Sequence, residues 1–474
     1  MRACPPARRS FAGDAERLAR LVSRFAPVLL ALTAVPAIVA FAGGDGATGW
    51  RLAPGILLSG AGAWLTARLP PPDDAREAED AAAVALAFVL GALVSSWPYL
   101  AHGLSPLDGL FEGVSGITST GLSRYADIGA QPFGLKFSRA WQEWIGGYAL
   151  VTLTVGLLAR AGGDGGGGGA EEMAQSDVAD DGGGDGEDQP DMAKRSRRVT
   201  VVYVLLTLAC VGAVWAGGQS VGFAVLHGLT AVSTGGFAGQ SGSLTGIAPA
   251  TVIVLMGFSV LGAAALSDYA RPLFERCGFA KLAATLGAVL ALSALCGGFV
   301  LWAEGGGVGA YQALQVATSA QTTTGYYAAS VPDMTDASKL ALTASMLVGG
   351  DVGSTAGGLK LARLAALGVV AWTLLRAGAP GEQKREEAGD AIKLAAWWAA
   401  LTALGWPALI AAGHPPVDAL FEWVSALNNV GLSSGVSGGE DVPVLTRWVL
   451  IAGMWLGRVE ILAATLALRA AAGR

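Results

Sequence analysis

Three observations predict an all-α polytopic membrane protein, with four membrane–pore loop–membrane repeats around one pore and two N-terminal transmembrane helices ahead of them. The chain has 474 residues, 53% of them hydrophobic and only 14% charged; a soluble protein of this size carries about a quarter charged residues. Its apolar runs reach about 20 residues and are continuous, as in a membrane-crossing helix, not alternating as in a barrel strand. The stretch 106–123, PLDGLFEGVSGITSTGLS, returns at 416–433 as PVDALFEWVSALNNVGLS, with Pro, Asp, Leu, Phe, Glu, Val, Ser, Gly, Leu and Ser in register. Two looser copies lie between, LHGLTAVSTGGFA at 226–238 and QVATSAQTTTGYY at 315–327. Their final glycines, Gly121, Gly236, Gly325 and Gly431, recur roughly every 90 to 115 residues, the mark of an internally repeated architecture.

Residues 1–76 hold two spans, at about 25–42 and 53–69, that carry no glycine turn and stand as an appendage to the repeats. No small-residue cleavage site follows the basic start MRACPPARRS soon enough for a cleaved signal, so the first span is expected to be retained. Repeat one, 77–160, has a span at about 81–100, the copied stretch, and a return span at about 137–158. Ser105 reads as an N-cap, with Pro106 at the first helical position and Asp108 at capping-box spacing. That helix must end near Ile117, where TSTG cannot continue it. About 12 residues of helix reach roughly 18 Å, half a bilayer, so the segment is re-entrant.

Residues 161–197 form a Gly-rich cytoplasmic insert containing ten acids (Asp164, Glu171, Glu172, Asp177, Asp180, Asp181, Asp185, Glu187, Asp188 and Asp191), without aromatic residues, and disorder is expected there. These acids outnumber the net charge of −6, so the rest of the chain is net positive. Repeat two, 198–276, places spans at about 199–216 and 250–266 around its turn. Repeat three, 277–378, has a first span at about 282–302 and a return segment, 340–375, interrupted by GGDVGSTAGGLK at 349–360. Five glycines in those twelve residues defeat a continuous helix, and this is the one return span expected to be broken. Repeat four, 379–474, spans about 391–412 and 448–468 around the second copy.

Ten spans with the N-terminus inside put Arg68, Arg76, Lys194, Arg195, Arg197, Arg198, Arg271, Arg276, Lys281, Arg376, Lys384, Arg385, Arg469 and Arg474 at or near the cytoplasmic side. The positive-inside rule is then satisfied, both termini are cytoplasmic, and all four glycine turns face outward.

A dehydrated cation needs a ring of oxygens in place of its hydration shell, and backbone carbonyls supply one where the chain is extended. Glycine allows the positive φ that aims successive carbonyls at one axis. The C-terminal ends of the preceding half-helices add negative potential. Four hairpins around an axis therefore read as an ion filter. Other chemistries lack their residues. Cys4, Cys210, Cys277 and Cys296 make no C-x-x-C pair, and no P-loop or GxGxxG follows a strand. A polytopic membrane enzyme, the remote alternative, would need His, Cys or acids clustered at one depth, so no enzyme and no nucleic-acid binding is expected. His102, His227 and His414 are scattered and expected to be neither ligands nor proton carriers. Arg139, Trp141 and Trp144 are expected to anchor a helix at the interface, and Asp108 and Asp418 to cap helices or draw cations to the mouth.

Four motifs, FEGVSGITSTGLS, RAWQEWIGG at 139–147, GGDVGSTAGGLK at 349–360 and LGRVEI at 456–461, carry a resemblance to the Trk/Ktr/HKT superfamily of potassium transporters, in its TrkH-like branch of membrane subunits. The resemblance covers the chain apart from the acidic insert and the extreme N-terminus. It implies potassium uptake across the cell membrane, with potassium as the transported ion, no covalent cofactor, a homodimer in the lipid bilayer, and a cytoplasmic TrkA-type nucleotide-binding regulatory subunit. The filter it implies consists of Thr118, Ser119, Thr120 and Gly121; Ser233, Thr234, Gly235 and Gly236; Thr322, Thr323, Thr324 and Gly325; and Asn428, Asn429, Val430 and Gly431. Glycine rather than serine at the first filter position favours potassium; a sodium-permeable transporter of the same fold is the alternative. Asn428 and Asn429 break the chemical symmetry, but Asn tolerates a left-handed backbone. The implied gate is an intramembrane loop containing Gly349, Gly350, Gly353, Ser354, Thr355, Gly357, Gly358 and Lys360, with Arg458 as an electrostatic barrier. Arg458 lies in an apolar span and needs water or a partner; Glu460 and Asp351 are the candidates.

Overall fold

The computed structural model describes residues 20, 25–66, 68, 77–161, 188–275, 278–376, 382–439 and 441–471. Sixteen α-helices and no strand occur among the described residues. Helices α1 (Ala26–Ala42) and α2 (Gly46–Thr66) pair with each other and lean on the body of the protein. Repeat one is α3 (Glu77–Ala101), the half-helix α4 (Pro106–Ile117) and α5 (Phe133–Ala161). Repeat two is α6 (Asp188–Ala216), α7 (Val221–Val232), α8 (Pro249–Gly262) and the short α9 (Leu266–Ala270). Repeat three is α10 (Phe279–Ala303), α11 (Ala310–Gln321), α12 (Asp336–Val348) and α13 (Leu361–Leu375). Repeat four is α14 (Glu382–Ala411), α15 (Pro416–Leu427) and α16 (Val444–Ala471). Between 162 and 187 the acidic insert lies outside the described residues, whereas its expected last part, 188–197, is the first part of helix α6 and not disordered.

The four half-helices, α4, α7, α11 and α15, are each 12 residues long. Local chemistry starts them. Ser105 Oγ accepts the Asp108 N–H at 3.2 Å and Ser220 Oγ accepts the Phe223 N–H at 3.2 Å, satisfying donors that a helix start leaves open. At α11 the roles reverse, with the Gln312 side chain accepting the Gly309 N–H at 3.1 Å. Proline opens α4 and α15.

Packing closes the repeats into a ring. The return helix of each repeat lies against the half-helix of the next: α5 on α7, α8 on α11, α12 on α15, and α16 back on α4. Phe111 and Phe421, equivalent positions in the two copied stretches, are fully buried in the main apolar core.

Among the described residues, four helices are long and apolar enough to cross a membrane alone: Ala82–Ala101, Lys194–Ala216, Phe279–Ala303 and Ala391–Ala411. These are the first helices of the four repeats. Of the return helices, α5 and α16 bury Arg139, Gln142, Glu143 and Arg458, and the other two are broken. The break in repeat three was expected. A second break was not: α8 and the segment Leu266–Phe274 meet at 98°, where an unbroken span at 250–266 was read. No Gly-rich string marks it. The exposed carbonyls at the end of α8 are taken up instead by the repeat-three loop, since Asp351 N donates to Ala263 O at 2.8 Å and Thr355 N to Gly262 O at 3.2 Å.

Five of the eight exposed tryptophans among the described residues lie where the half-helices begin. Trp50, Trp97, Trp215, Trp302 and Trp448 sit at the helix ends on that side, as in the aromatic belt of a membrane interface.

Candidate functional site

Each half-helix ends in the same backbone geometry. The second turn residue, Ser119, Thr234, Thr323 or Asn429, has φ of 51°, 51°, 52° and 52° respectively. Its N–H donates three residues back, to Gly116, Ala231, Ala320 or Ala426, at 2.9 to 3.2 Å. The following N–H donates five residues back, to Ser115, Thr230, Ser319 or Ser425, at 2.8 or 2.9 Å. This is a Schellman closure built on Ser, Thr and Asn where glycine is the usual occupant. Side-chain bonds hold three of these residues in place: Ser119 Oγ donates to Glu143 O at 2.8 Å, Thr323 Oγ1 accepts Gly357 N–H at 2.7 Å, and Asn429 Nδ2 donates to Met454 O at 2.8 Å.

Two residues further on stand Gly121, Gly236, Gly325 and Gly431, with φ of 90°, 77°, 84° and 89°. A Cβ on Gly121 would overlap the carbonyl oxygen of Gly235; on Gly236, that of Thr324; on Gly325, that of Val430; and on Gly431, that of Thr120. The four turns therefore touch in the cyclic order one, two, three, four, one. Nearly all the turn residues are fully buried. Among the described residues no protein donor reaches the main-chain oxygens of 118–121, 234–236, 322–325 or 428–431, and Ser233 O takes only the Thr234 hydroxyl, at 2.8 Å. Buried carbonyls are paired in the great majority of cases, so a closed ring of unpaired ones is a set of oxygens available to a cation.

The ring is braced from behind. Glu112 accepts the Ser123 hydroxyl at 2.7 Å and the Arg124 N–H at 2.6 Å. Its equivalent Glu422 accepts the Ser433 hydroxyl at 2.8 Å and the N–H groups of Ser434 and Ser437 at 2.8 and 3.0 Å. Each carboxylate staples the chain that leaves its turn. Arg139, expected as an interfacial anchor, is instead buried at 2% exposure, paired with Glu112 at 2.9 Å and stacked 3.7 Å over the Phe237 ring. Trp141 and Trp144 are half-buried against neighbouring helices, donating to Ala31 O of α1 and Thr207 Oγ1 of α6 at 3.0 Å. Three return helices each offer a glycine to the last carbonyl of their half-helix: Gly146 to Ile117, Gly262 to Val232, and Gly457 to Leu427. A signal for these existed, an apolar residue followed by Gly in WIGG, VLGA and WLGR about 25 residues after the turn glycines Gly121, Gly236 and Gly431.

Loop 349–360 is buried against the ring. A Cβ on Gly357 would overlap Asn428 O, Thr355 Oγ1 donates to Val232 O at 3.0 Å, and Gln321 Nε2 donates to Gly349 O at 2.7 Å. Gly350, Ser354 and Gly358 are buried with it. Leu266 N donates to Gly353 O at 3.1 Å, tying the loop to the break in repeat two. Lys360 is buried at φ 75° and its ammonium donates to Ala356 O within the loop. Arg458, also buried, spans the loop and turn one: Nη1 donates to Thr355 O at 3.4 Å and Nη2 to Ser119 Oγ at 3.1 Å. Asp351 is not its partner, since that carboxylate takes Val352 N–H at 2.8 Å and Thr285 Oγ1 at 3.5 Å. The Glu460 side chain lies outside the described residues.

The remaining candidates are occupied by protein. Asp108 pairs with Arg124 at 2.8 Å and with Arg447 of repeat four at 3.2 Å, and Asp418 pairs with Lys339 of repeat three at 2.7 Å. Asp108 also takes the Ser105 hydroxyl at 2.6 Å in the first turn of α4, whereas Asp418 makes no cap bond in α15; each acid is neutralised by a cation of another segment and not presented to the mouth. His102 Nε2 meets Thr48 Oγ1 at 2.9 Å, His414 Nε2 meets Thr446 Oγ1 at 2.8 Å, and His227 Nδ1 meets Phe223 O at 2.9 Å.

A family model described as TrkH, cation transport protein, matches residues 84–267 and 408–472. A Trk system potassium uptake protein TrkH of Salmonella typhimurium is 27% identical over 415 residues, 79% of this chain and 81% of that protein. An uncharacterized cation transporter of Methanocaldococcus jannaschii is 25% identical over 466 residues, 95% of this chain and 94% of its own length. The crystal structure of the potassium transporter TrkH from Vibrio parahaemolyticus superposes with a TM-score of 0.78 at 23% identity, covering 96% of this chain and 98% of that one; at that identity it bears on the fold, which is shared. Since the family model spans more than half of the sequence, on both sides of the loop and at both ends of the ring, the chain belongs to the TrkH family of cation transport proteins.

Proposed function

We propose that the chain takes up potassium across the cell membrane, the ion passing through a filter made by the carbonyls of 118–121, 233–236, 322–325 and 428–431. The observation that carries this reading is the cyclic contact of four identical turns whose buried carbonyls receive almost no protein hydrogen bond. The relatives named as potassium uptake proteins support the choice of ion. Loop 349–360 and Arg458 form the gate: the loop touches turns two, three and four, and Arg458 adds a positive charge beneath turn one. Repeat boundaries follow the spacing of the turns, at 77–160, 198–276, 277–378 and 379–474, after two leading helices in 1–76. Both termini and the acidic insert are cytoplasmic. The working assembly is a homodimer with a TrkA-type regulatory subunit on that side.

Growth rescue and rubidium uptake in a potassium-transport-deficient strain test the reading. Gly325→Asp abolishes both at unchanged expression. Excess external sodium leaves rubidium uptake intact if the ion is potassium and suppresses it if the pore is sodium-permeable. Uptake that survives charged replacements at all four filter glycines overturns the filter.

A further inference from the structure

Repeat two is the one repeat with glycine before its filter glycine, STGGF, where the others carry Thr120, Thr324 or Val430. The reason lies in repeat one. Glu143 of α5 is fully buried, and a Cβ on Gly235 would run into its carboxyl carbon. The same carboxylate stands 3.5 Å from where a Cβ on Gly121 would be. It thus occupies the room that a side chain fills at the other seams, directly behind the contact between Gly121 and the Gly235 carbonyl. Its oxygens both accept from one main-chain donor, Phe237 N–H, at 3.2 and 3.0 Å. The nearby cations are engaged elsewhere: Arg139 with Glu112, and Arg458 with Ser119 and Thr355. A buried carboxylate without an ion pair is costly, and one placed behind a cation path is offset by the cation itself.

The geometry points to Glu143 as a specificity-determining residue of the pore, a fixed negative charge at the seam of repeats one and two that sets cation affinity while its bond to Phe237 fixes the turn. This rests on the filter reading above. The charge acts through Gly235 and Phe237, so Glu143 positions the filter and does not coordinate the ion.

The test uses the full chain in liposomes, with rubidium influx measured against sodium competition. Glu143→Gln keeps the acceptor for Phe237 N–H and removes the charge. Its expected signature is a KM for rubidium raised about tenfold with the maximal rate retained, and stronger inhibition by sodium. Glu143→Asp, which keeps the charge, holds KM within about threefold of the parent. A steric arm is independent of flux: Gly235→Ala lowers the melting temperature, and Glu143→Ala combined with Gly235→Ala restores part of the loss. Gly325→Asp separates the two readings. If it is inactive while Glu143→Gln matches the parent in KM and sodium inhibition, the charge role is overturned and the filter stands. If Gly325→Asp transports normally, the filter reading falls first. Should Glu143→Gln not fold, a Glu143→Asp protein with a tenfold raised KM overturns the proposal.

Discussion

The Asn429 side chain donates to the Thr120 hydroxyl at 2.9 Å, joining residues 309 positions apart, and the Thr120 carbonyl lies against the α-carbon of Gly431. This is the seam at which the ring closes without a connecting chain. Asn429 also donates to Met454 O at 2.8 Å, so one amide ties turn four to turn one and to α16. Asn429, which looks like a loss of symmetry, is what fastens the open side of the ring, while Asn428 bonds within its own half-helix to Val424 O at 2.8 Å.

Asn429→Ala therefore acts at a seam and not only on a turn. It removes two hydrogen bonds and a residue tolerant of φ 52°, with an expected loss of about 2 to 3 kcal/mol. Thermal unfolding in detergent reads the loss, and potassium-dependent stabilisation falls with it. Asn429→Gly, which keeps the backbone but not the bonds, lies between.

Gly431→Ala meets both a positive φ and the Thr120 carbonyl, and rubidium uptake at equal expression should fall at least about tenfold, as a shift of more than ~1.4 kcal/mol requires. Gly287→Ala is the control. Nothing lies within 4 Å of a Cβ there, the residue is in α10, and uptake should equal that of the parent.

Glu422→Ala leaves the N–H groups of Ser434 and Ser437 without their acceptor, an expected cost of about 2 to 4 kcal/mol in unfolding. Glu112→Ala costs more, about 3 to 5 kcal/mol, because it strands the buried charge of Arg139. Replacing Glu112 and Arg139 together with apolar residues of similar size recovers only the part due to the stranded Arg139 charge in the same melting assay, because the Arg124 N–H still lacks its acceptor.

Arg458→Ala removes the positive charge beneath turn one and both of its bonds, to Ser119 and to Thr355 of the loop. Rubidium flux through reconstituted protein should rise. Equal or lower flux at matched protein density would count against a barrier.

On the side where the half-helices begin, Asp127 in the loop after turn one is joined to Ser241 in the loop after turn two. That hydroxyl bond, foremost among its causes, holds the Asp127 carboxyl below its ordinary range, against some desolvation that raises it. The depressed value means the tie is complete above the ordinary carboxylate range and is lost as pH falls through the folded-state value. Hydrogen exchange of the two loops should quicken in that acidic window and in Asp127→Asn at neutral pH.

Much of the fold was legible because its signals are local. Ser105, Pro106 and Asp108 define a helix start within a few residues, and the end of that helix at Ile117 follows from TSTG. The repeated stretch fixes four equivalent turns, and five glycines between 349 and 358 announce one broken helix. The break after Gly262 was hidden because VLGAAALS is a fair helix sequence; only the loop donating to Gly262 and Ala263 makes the break favourable. Arg139 looked like an interfacial anchor because its partner, Glu112, lies in another helix.

By itself, the amino-acid sequence determined the membrane class, the number of repeats and the four glycine turns, since hydropathy, caps and spacing are properties of neighbouring residues. The tertiary structure alone decided which turn touches which, that Arg458 spans Ser119 and Thr355, and that Gly235 is small because Glu143 lies behind it. Those relations join residues distant along the chain, and close packing, in which one side chain can occupy only the space another leaves, selects among them.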